Sequence, residues 1–284
     1  MPKLNVGGVG IGTLVKRSIS EFLADEMTTY AAALAYHVLF ALFPFLLFLV
    51  ALMGFLDIPG FFDWLLDQAR VALPQQAAAQ VEEVVSQIRN EQGGLLSFGI
   101  ILALWTASSG VRSLMNALNK AYDVEEDRPI WKRYPLSILY TVGLAIMLIV
   151  ATGLMLIGPQ LVGWLAGQVG LGEVFVTLWA WFRLPIAVIL LMLALAVIYY
   201  VAPNVDQPFR FITPGSVLAV IVWVLASLGF SYYVSNLADY SATYGSLGAV
   251  IVLLFYFFIS SAVLLLGAEL NAEVYRASRG EEKG

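Results

Sequence analysis

Long runs of apolar residues that no charge interrupts are the feature that most restricts how this chain can fold. A bilayer with a hydrocarbon core of roughly 30 Å requires about 20 such residues for each helical crossing. Strands of a membrane barrel would alternate apolar and polar residues, and these runs do not. The pattern predicts an all-α polytopic membrane protein with six transmembrane helices, at about residues 28–56, 95–119, 134–160, 174–201, 212–237 and 244–271.

Composition supports this fold class and excludes several functions. Of the 284 residues, 60% are hydrophobic and 12% are charged, whereas a soluble domain is about one quarter charged. The absence of cysteine excludes disulfides, thiolate nucleophiles and cysteine zinc sites. A single histidine and a net charge of −5 argue against metal chemistry and a nucleic-acid surface. We therefore predict no metal, no cofactor, no catalytic residue and no nucleic-acid partner.

The distribution of basic residues predicts the orientation in the membrane. With a cytoplasmic amino terminus, the outer side receives only Arg70 and Arg89. The inner side receives Lys3, Lys16, Arg17, Lys120, Arg128, Lys132, Arg133, Arg210, Arg276, Arg279 and Lys283. Because basic residues favour the cytoplasmic side, both termini are predicted to be cytoplasmic. The chain then divides into an amino-terminal segment (1–27), a membrane domain (28–272) with one long outer loop (57–94), and a tail (273–284).

Three segments outside the predicted spans have recognisable patterns of apolar and charged residues. The amino-terminal segment and the outer loop both show apolar residues at helical spacing, which predicts amphipathic helices lying on the membrane surface. The inner connection DVEEDRPIWKRY has its acids first and its bases beside the third span. Trp131 and Tyr134 are at the depth expected for lipid headgroups, so this segment is predicted to be a solvated loop with interfacial anchors.

A polar stripe interrupts the second apolar segment, in LALWTASSGVRSLMNALNKAY. Arg112, Asn116 and Asn119 follow one helical face, and an arginine inside a span costs at least a few kcal/mol unless it snorkels, pairs or borders water. We predict that Arg112 belongs to an inner polar cluster with Glu269 and Asn271 of the last span. The cluster can be a static lock between helices, or a gate or site for an anionic headgroup.

Two further groups of polar residues lie within the predicted spans. His37 with Tyr36 forms a second candidate polar site, where proton coupling competes with a simple interhelical hydrogen bond, the commoner role of a lone intramembrane histidine. Near the outer end of the last span, Tyr240, Tyr244 and Ser246 are candidates for lining an outward cavity, with close helix packing as the alternative.

Four motifs in order resemble the YihY/BrkB family of bacterial inner-membrane proteins. They are AAALAYHVLFALFP, SLMNALNKAYDVEEDRPIWKR, YYVAPN with PGSVLAVIVWVLAS, and YGSLGAVIVLLFYFFISSAVLLLGAELNAE. The resemblance extends from about residue 20 to residue 275. It implies a six-helix protein of the inner membrane, formerly labelled ribonuclease BN and linked to virulence, for which transport of lipid-like molecules is the leading suggestion.

Three functions of different classes are compatible with the sequence. The first is a transporter or lipid translocase that takes an anionic amphiphile, with membrane lipids as its partners, and the second is a noncatalytic membrane scaffold or regulator. The third, a ribonuclease, is disfavoured because the chain has no cluster of histidines and carboxylates for acid–base or metal catalysis. No Walker A motif is present, so ATP hydrolysis within this chain is not expected to supply energy.

Overall fold

The computed structural model describes residues 5–6, 9–55, 63, 66–67, 82, 92–156, 172–236 and 239–279. Within these ranges the chain is helical, apart from the turns and irregular connections, which include residues 122–129 and 202–213, and a short antiparallel pair formed by β1 (Asn5–Val6) and β2 (Val9–Gly10). The helices are α1 (Ile11–Ala24), α2 (Met27–Phe55), α3 (Gln92–Ala121), α4 (Ile130–Leu156), α5 (Gly172–Val201), α6 (Pro214–Asn236) and α7 (Asp239–Arg279). The predicted all-α class is confirmed.

Three helical stretches of the described chain are long and apolar enough to cross a membrane. They are Trp181–Val201, Pro214–Ser235 and Val250–Arg279, and Met27–Leu42 is a shorter apolar stretch. Within an apolar 18-residue segment of each long stretch, only 11–18% of the residues are buried inside the protein. Helices that are apolar but unburied require an apolar solvent, and lipid supplies one. The number of spans remains a prediction, as does the placement of amphipathic helices on the membrane surface.

The buried core lies where the end of α3 meets α2, α5, α6 and α7. Met115, Leu118 and Leu265 are fully buried at its centre. These residues belong to a compact unit made of Met1–Tyr36 and Val111–Gly284. The core therefore gathers the carboxyl-terminal ends of α3, α5 and α7 with the amino-terminal ends of α2 and α6.

A glycine contact brings α6 and α7 close together. A side chain at Gly215 would collide with the Gly267 carbonyl oxygen, and one at Gly267 would lie 2.7 Å from the Gly215 carbonyl oxygen. Small residues allow helix backbones to approach in this way when burial of apolar surface from water cannot drive association. Farther along the same pair, the Trp223 indole donates a hydrogen bond to Ser260 Oγ (3.1 Å).

The amino-terminal helix α1 packs on α7. Leu14 is buried against Leu270 and Val274, while Leu23 on the same helix is exposed. The predicted amino-terminal segment therefore contains a helix, and Leu14 on its apolar face is covered by protein. The turn into α2 places Asp25 3.0 Å from Lys120 Nζ, which ties it to the end of α3.

A second compact unit comprises His37–Gly110. Within it, α2 and α3 approach closely, because a side-chain carbon at Gly110 would lie 3.2 Å from His37 Cβ. The predicted helices of the outer loop (57–94) lie mostly outside the described residues.

We expect Gly267→Ala to destabilise the protein. The added methyl would lie 2.9 Å from Ala219 Cβ and would also meet the Gly215 backbone, which cannot move without separating α6 from α7. Overpacking of this kind costs about 1–3 kcal/mol. Thermal unfolding of the purified protein in detergent should show a lower midpoint.

Gly229→Ala is the matched control, since Gly229 also lies in a helix of this pair and has nothing within 4 Å of the added carbon. Helix propensity alone should leave this variant unchanged or slightly more stable. Equal midpoints for the Gly267 and Gly229 variants would contradict the close crossing.

Candidate functional site

Arg112, which begins the polar stripe of α3, is oriented toward α4. Its Nη1 donates a hydrogen bond to Ser137 Oγ (3.0 Å), and its guanidinium carbon lies 4.3 Å from the centre of the Tyr134 ring. Ser137 is fully buried, and its own hydroxyl proton goes to the Tyr134 carbonyl oxygen (2.7 Å). A cation placed over an aromatic face is stabilised by the ring quadrupole, so α4 provides both a hydrogen bond and a π surface for Arg112.

The asparagines of the stripe connect α3 to α4 and to the α3–α4 and α5–α6 connections. Arg133 of α4 donates to Asn116 Oδ1. Asn119 is buried and makes two bonds: its Nδ2 donates to Glu126 Oε2 (3.0 Å), and its Oδ1 accepts from the backbone N–H of Asn204 (2.7 Å). One amide therefore binds both the α3–α4 connection and the α5–α6 connection.

Glu126 is the acidic centre of this network. Arg128 donates to both of its carboxylate oxygens, at 2.5 Å and 2.8 Å, and also to the Ala202 carbonyl oxygen at 3.0 Å. Arg133 Nε lies 3.6 Å from the same carboxylate. Burial by itself would raise the pKa of Glu126, but the hydrogen bonds and charge of Arg128, with the charge of Arg133, lower it below its ordinary value.

We call this network the α3–α4 group. It comprises Arg112, Asn116, Asn119, Glu126, Arg128, Arg133 and Ser137.

A second network begins at the end of α3, where Asp123 has a left-handed backbone conformation (φ 54°). The N–H groups of Asp123 and Val124 bond back to the Lys120 and Asn119 carbonyls, at 3.1 Å and 2.9 Å. This is the Schellman arrangement that closes helices, in which glycine is the usual residue at the left-handed position. Aspartate is one of the few other residues that tolerate it.

The side chain of Asp123 has a partner on α7. Its Oδ2 accepts a hydrogen bond from Arg276 Nη1 (2.6 Å), and the same nitrogen donates to the Ala121 carbonyl oxygen (3.2 Å). Arg276 Nη2 also donates to Glu273 Oε1 (2.7 Å). A cation at the carboxyl-terminal end of a helix satisfies free carbonyls and complements the helix dipole, so Arg276 closes α3 and holds α7 against it.

Glu269 and Asn271 lie one to two turns before Arg276 on α7. Glu269 is fully buried and influences Arg276 electrostatically. Asn271 Oδ1 accepts a hydrogen bond from the Gly215 N–H (2.9 Å), at the start of α6. We call this second network the α7 group, comprising Asp123, Glu269, Asn271, Glu273 and Arg276.

The predicted inner cluster is thus distributed over two neighbouring groups. Arg112 shares the α3–α4 group with Asn116 and Asn119, whereas Glu269 shares the α7 group with Asn271. The contacts described for Arg112 are with α4, so the pairing of Arg112 with Glu269 remains a prediction.

The other predicted sites lie in α2 and at the start of α7. His37 Nδ1 lies 3.2 Å from Ser109 Oγ, which is an interhelical hydrogen bond of the kind expected for a lone intramembrane histidine. Tyr36 is half exposed. Tyr240, Tyr244 and Ser246 belong to the backbone of α7, but their side chains lie outside the described part of the protein.

The prediction of a solvated α3–α4 connection is wrong for Glu126 and Arg128. Their side chains are each only 15% exposed and ion-paired, whereas Glu125 and Asp127 are exposed. Glu126 therefore faces the protein between two acids that are exposed. The sequence holds a weak signal of this in the Glu126-x-Arg128 spacing, but the acceptors that fix Arg128 come from a distant segment.

An open cleft of about 250 Å³ lies beside the α7 group. Its walls come from the ends of α3 and α5, the α5–α6 connection, the start of α6 and the last turns of α7. Four tyrosines contribute to these walls, namely Tyr122, Tyr199, Tyr200 and Tyr275. Burial raises the pKa of Tyr122 well above its ordinary value, so that residue is a neutral hydroxyl in this wall. The cleft offers aromatic surface and hydrogen-bonding groups together.

Known proteins resemble this chain over most of its length. The family described as Virulence factor BrkB matches residues 18–284. A Bacillus subtilis (strain 168) protein named "Putative ribonuclease-like protein YfkH" is 38% identical over 269 residues, which cover 94% of this chain and 97% of that protein.

More distant relatives are longer than this chain. "UPF0761 membrane protein" sequences of Xanthomonas campestris pv. campestris (strain 8004) and Xanthomonas axonopodis pv. citri (strain 306) are 27% identical over 256 residues. These residues cover 89% of this chain but 58% and 59% of the two relatives. No solved structure matches the chain.

Acidification should weaken the α3–α4 group through Glu126. The pKa of Glu126 is lower in the folded protein than its ordinary value of 4.5, so its contribution to stability is complete above that value and is lost as the pH falls through the folded pKa. Glu126→Gln should lower stability near neutral pH by roughly 2 kcal/mol, the scale of hydrogen bonds to a charged group. Unfolding midpoints measured from neutral pH to below pH 4.5 should therefore fall less steeply in this variant than in the wild type.

Glu125→Gln provides the comparison at the adjacent position, where the side chain is exposed. This variant should match the wild type within about 0.5 kcal/mol and retain the same pH dependence. If the two variants changed the fall of the unfolding midpoint at low pH equally, the stabilising role of Glu126 would be rejected.

Proposed function

The chain belongs to the Virulence factor BrkB family of membrane proteins, and we propose that it is an inner-membrane transporter or lipid translocase for an anionic amphiphile. The observation that carries this proposal is the open cleft between the ends of helices, three of which contain a largely unburied apolar segment. A static helix bundle requires no such opening. A molecule with a polar head and an apolar body could enter from the lipid side and place its head among polar side chains.

The proposal includes six membrane spans with both termini in the cytoplasm. It is supported by the six helices from α2 to α7, each of at least 23 residues in the described chain. It is also supported by the basic residues of the two polar groups, Arg128, Arg133 and Arg276, which gather at the ends assigned to the cytoplasmic side. The amphipathic helix α1 would then lie at that surface, covering α7.

Arg112 is proposed as the gate residue for the headgroup. Its neighbour Tyr134 is exposed, and Trp131 on the same helix is 71% exposed, so an anion passing along α4 could reach the guanidinium from the lipid side. In one state Arg112 would contact α4 and the anion, and in the other it would contact Glu269. The two states would differ in affinity for the anion, as transport requires.

We do not propose nuclease activity, although one relative is named ribonuclease-like. No group of three or more histidines, cysteines or carboxylates capable of holding a metal is found in the described part of the chain. The single histidine lies in the apolar helix α2 beside Ser109. The described residues therefore offer neither a metal-binding group nor a histidine placed for acid–base cleavage of RNA.

Introduced cysteines should reveal the proposed topology, because the natural chain has none. Asp63 and Asp127 are both exposed and lie in connections assigned to opposite sides. A membrane-impermeant maleimide added to spheroplasts should label Asp63→Cys at once and Asp127→Cys only after permeabilisation. The wild type is the unlabelled control, and immediate labelling of Asp127→Cys would contradict cytoplasmic termini.

Reconstituted vesicles should show movement of an anionic lipid between leaflets, and Arg112→Ala should slow it at least about tenfold if the guanidinium binds the headgroup. Arg183→Ala is the matched control, because Arg183 is an exposed arginine of α5 outside both polar groups. Equal rates for Arg112→Ala and wild type would reject the gate. No movement by folded wild type would favour the scaffold interpretation.

A further inference from the structure

Asn271, a residue of the cleft wall, has a buried hydrogen-bond donor without an acceptor among the described residues. Asn271 is 7% exposed and forms part of the cleft wall. The Gly215 N–H fixes the orientation of its amide, because Oδ1 must face that donor. Asn271 Nδ2 is therefore the remaining donor, and it has no hydrogen-bond partner among the described residues. Leaving such a group unsatisfied costs about 1–3 kcal/mol, which an acceptor on a ligand would recover.

A cation lies in the wall of the same cleft. Arg210, in the α5–α6 connection, is exposed, and none of the described residues forms an ion pair with it. Its planar set of donors matches the oxygens of a phosphate group and can bind two of them at once. Arg210 and Asn271 therefore contribute a charged donor and a neutral donor to one cleft.

The start of α6 adds a favourable field but no free backbone donors. Thr213 and Ser216 cap each other reciprocally, at 3.0 Å and 3.1 Å, and the Gly215 N–H is bound by Asn271. Because Pro214 has no N–H, the first turn has no donor left for a ligand. The positive end of the helix dipole still favours an anion near this turn.

The remaining wall suits the uncharged part of a headgroup. The rings of Tyr122, Tyr199, Tyr200 and Tyr275 line the cleft with Pro208. A volume of about 250 Å³ is below the range of roughly 300–1,000 Å³ typical of sites for drug-sized molecules. It accommodates a small polar head such as glycerol phosphate, and acyl chains would have to remain outside.

We infer that this cleft binds the phosphate group of a phosphate ester through Arg210 and Asn271, with the ester's polar alcohol against the tyrosines. The ester is either the headgroup of an anionic phospholipid or a soluble molecule. The inference rests on the proposed function, because it specifies the headgroup class that the transporter would handle and assigns it to a site separate from Arg112.

Binding can be measured on the full-length protein in nonionic detergent by native mass spectrometry. The probes are short-chain phosphatidylglycerol, sn-glycerol 3-phosphate and an uncharged short-chain diacylglycerol. Wild type should retain one molecule of a phosphate-bearing probe and none of the diacylglycerol. Tight binding of glycerol phosphate alone would identify a soluble ester, and binding that requires the acyl chains would identify a lipid.

Two substitutions test the proposed donors. Arg210→Gln, at an exposed position, should weaken binding about tenfold. Asn271→Asp retains an oxygen for the Gly215 N–H but replaces the donor with a charged acceptor, so it should weaken binding at least as much. Arg183→Gln makes the same charge change elsewhere on the surface and should have no effect.

The site and the proposed function can fail separately. Equal retention by wild type, Arg210→Gln and Asn271→Asp, or equal retention of the uncharged diacylglycerol, would overturn the site. If the probes identify a lipid, lipid movement in vesicles that is insensitive to Arg210→Gln would also overturn the site while leaving transport intact. Phosphate binding that depends on Arg210, in a protein that moves no lipid, would support the site and reject the proposed function.

Discussion

The structure depends on how the polar backbone ends of long apolar helices are satisfied. The last carbonyls of a helix have no donor within the helix, and where protein buries them, as at Ala121, side chains from neighbouring elements must bind them. Arg276 does this for α3 by donating to the Ala121 carbonyl oxygen and to Asp123. Because Arg276 belongs to α7, the closure of one helix also fixes the position of another.

The same requirement organises the connections between helices. Asn119 binds Glu126 on one side and the Asn204 backbone on the other, and Arg128 links Glu126 to the Ala202 carbonyl oxygen. Two connections that are far apart in sequence thus share one ion-paired network. A network of this kind can support an adjacent open cleft. The network fixes the helix ends that form the cleft walls, so these walls need not pack against each other.

Local sequence patterns predict the helices because apolar length and spacing are local properties. The position of Arg112 on a polar face with Asn116 and Asn119 is predictable for the same reason. The role of Asp123 is not, because a left-handed residue after α3 would ordinarily be glycine, and only the contact with Arg276 explains an aspartate. Sequence spacing also could not decide whether the acids around Glu126 face water or protein, since Asn119 and Ala202 supply the partners.

Asn271 joins the architecture of the last two helices to the cleft. Its oxygen binds the first turn of α6, at the point where Gly215 and Gly267 bring α6 and α7 together. Its nitrogen is a buried donor without an acceptor among the described residues, and the residue belongs to the cleft wall. An acceptor bound to that nitrogen would polarise the amide and strengthen its bond to Gly215. A ligand bound in the cleft would then stabilise the α6–α7 crossing. Ligand binding and the packing of these two helices would therefore be coupled through the Asn271 side chain.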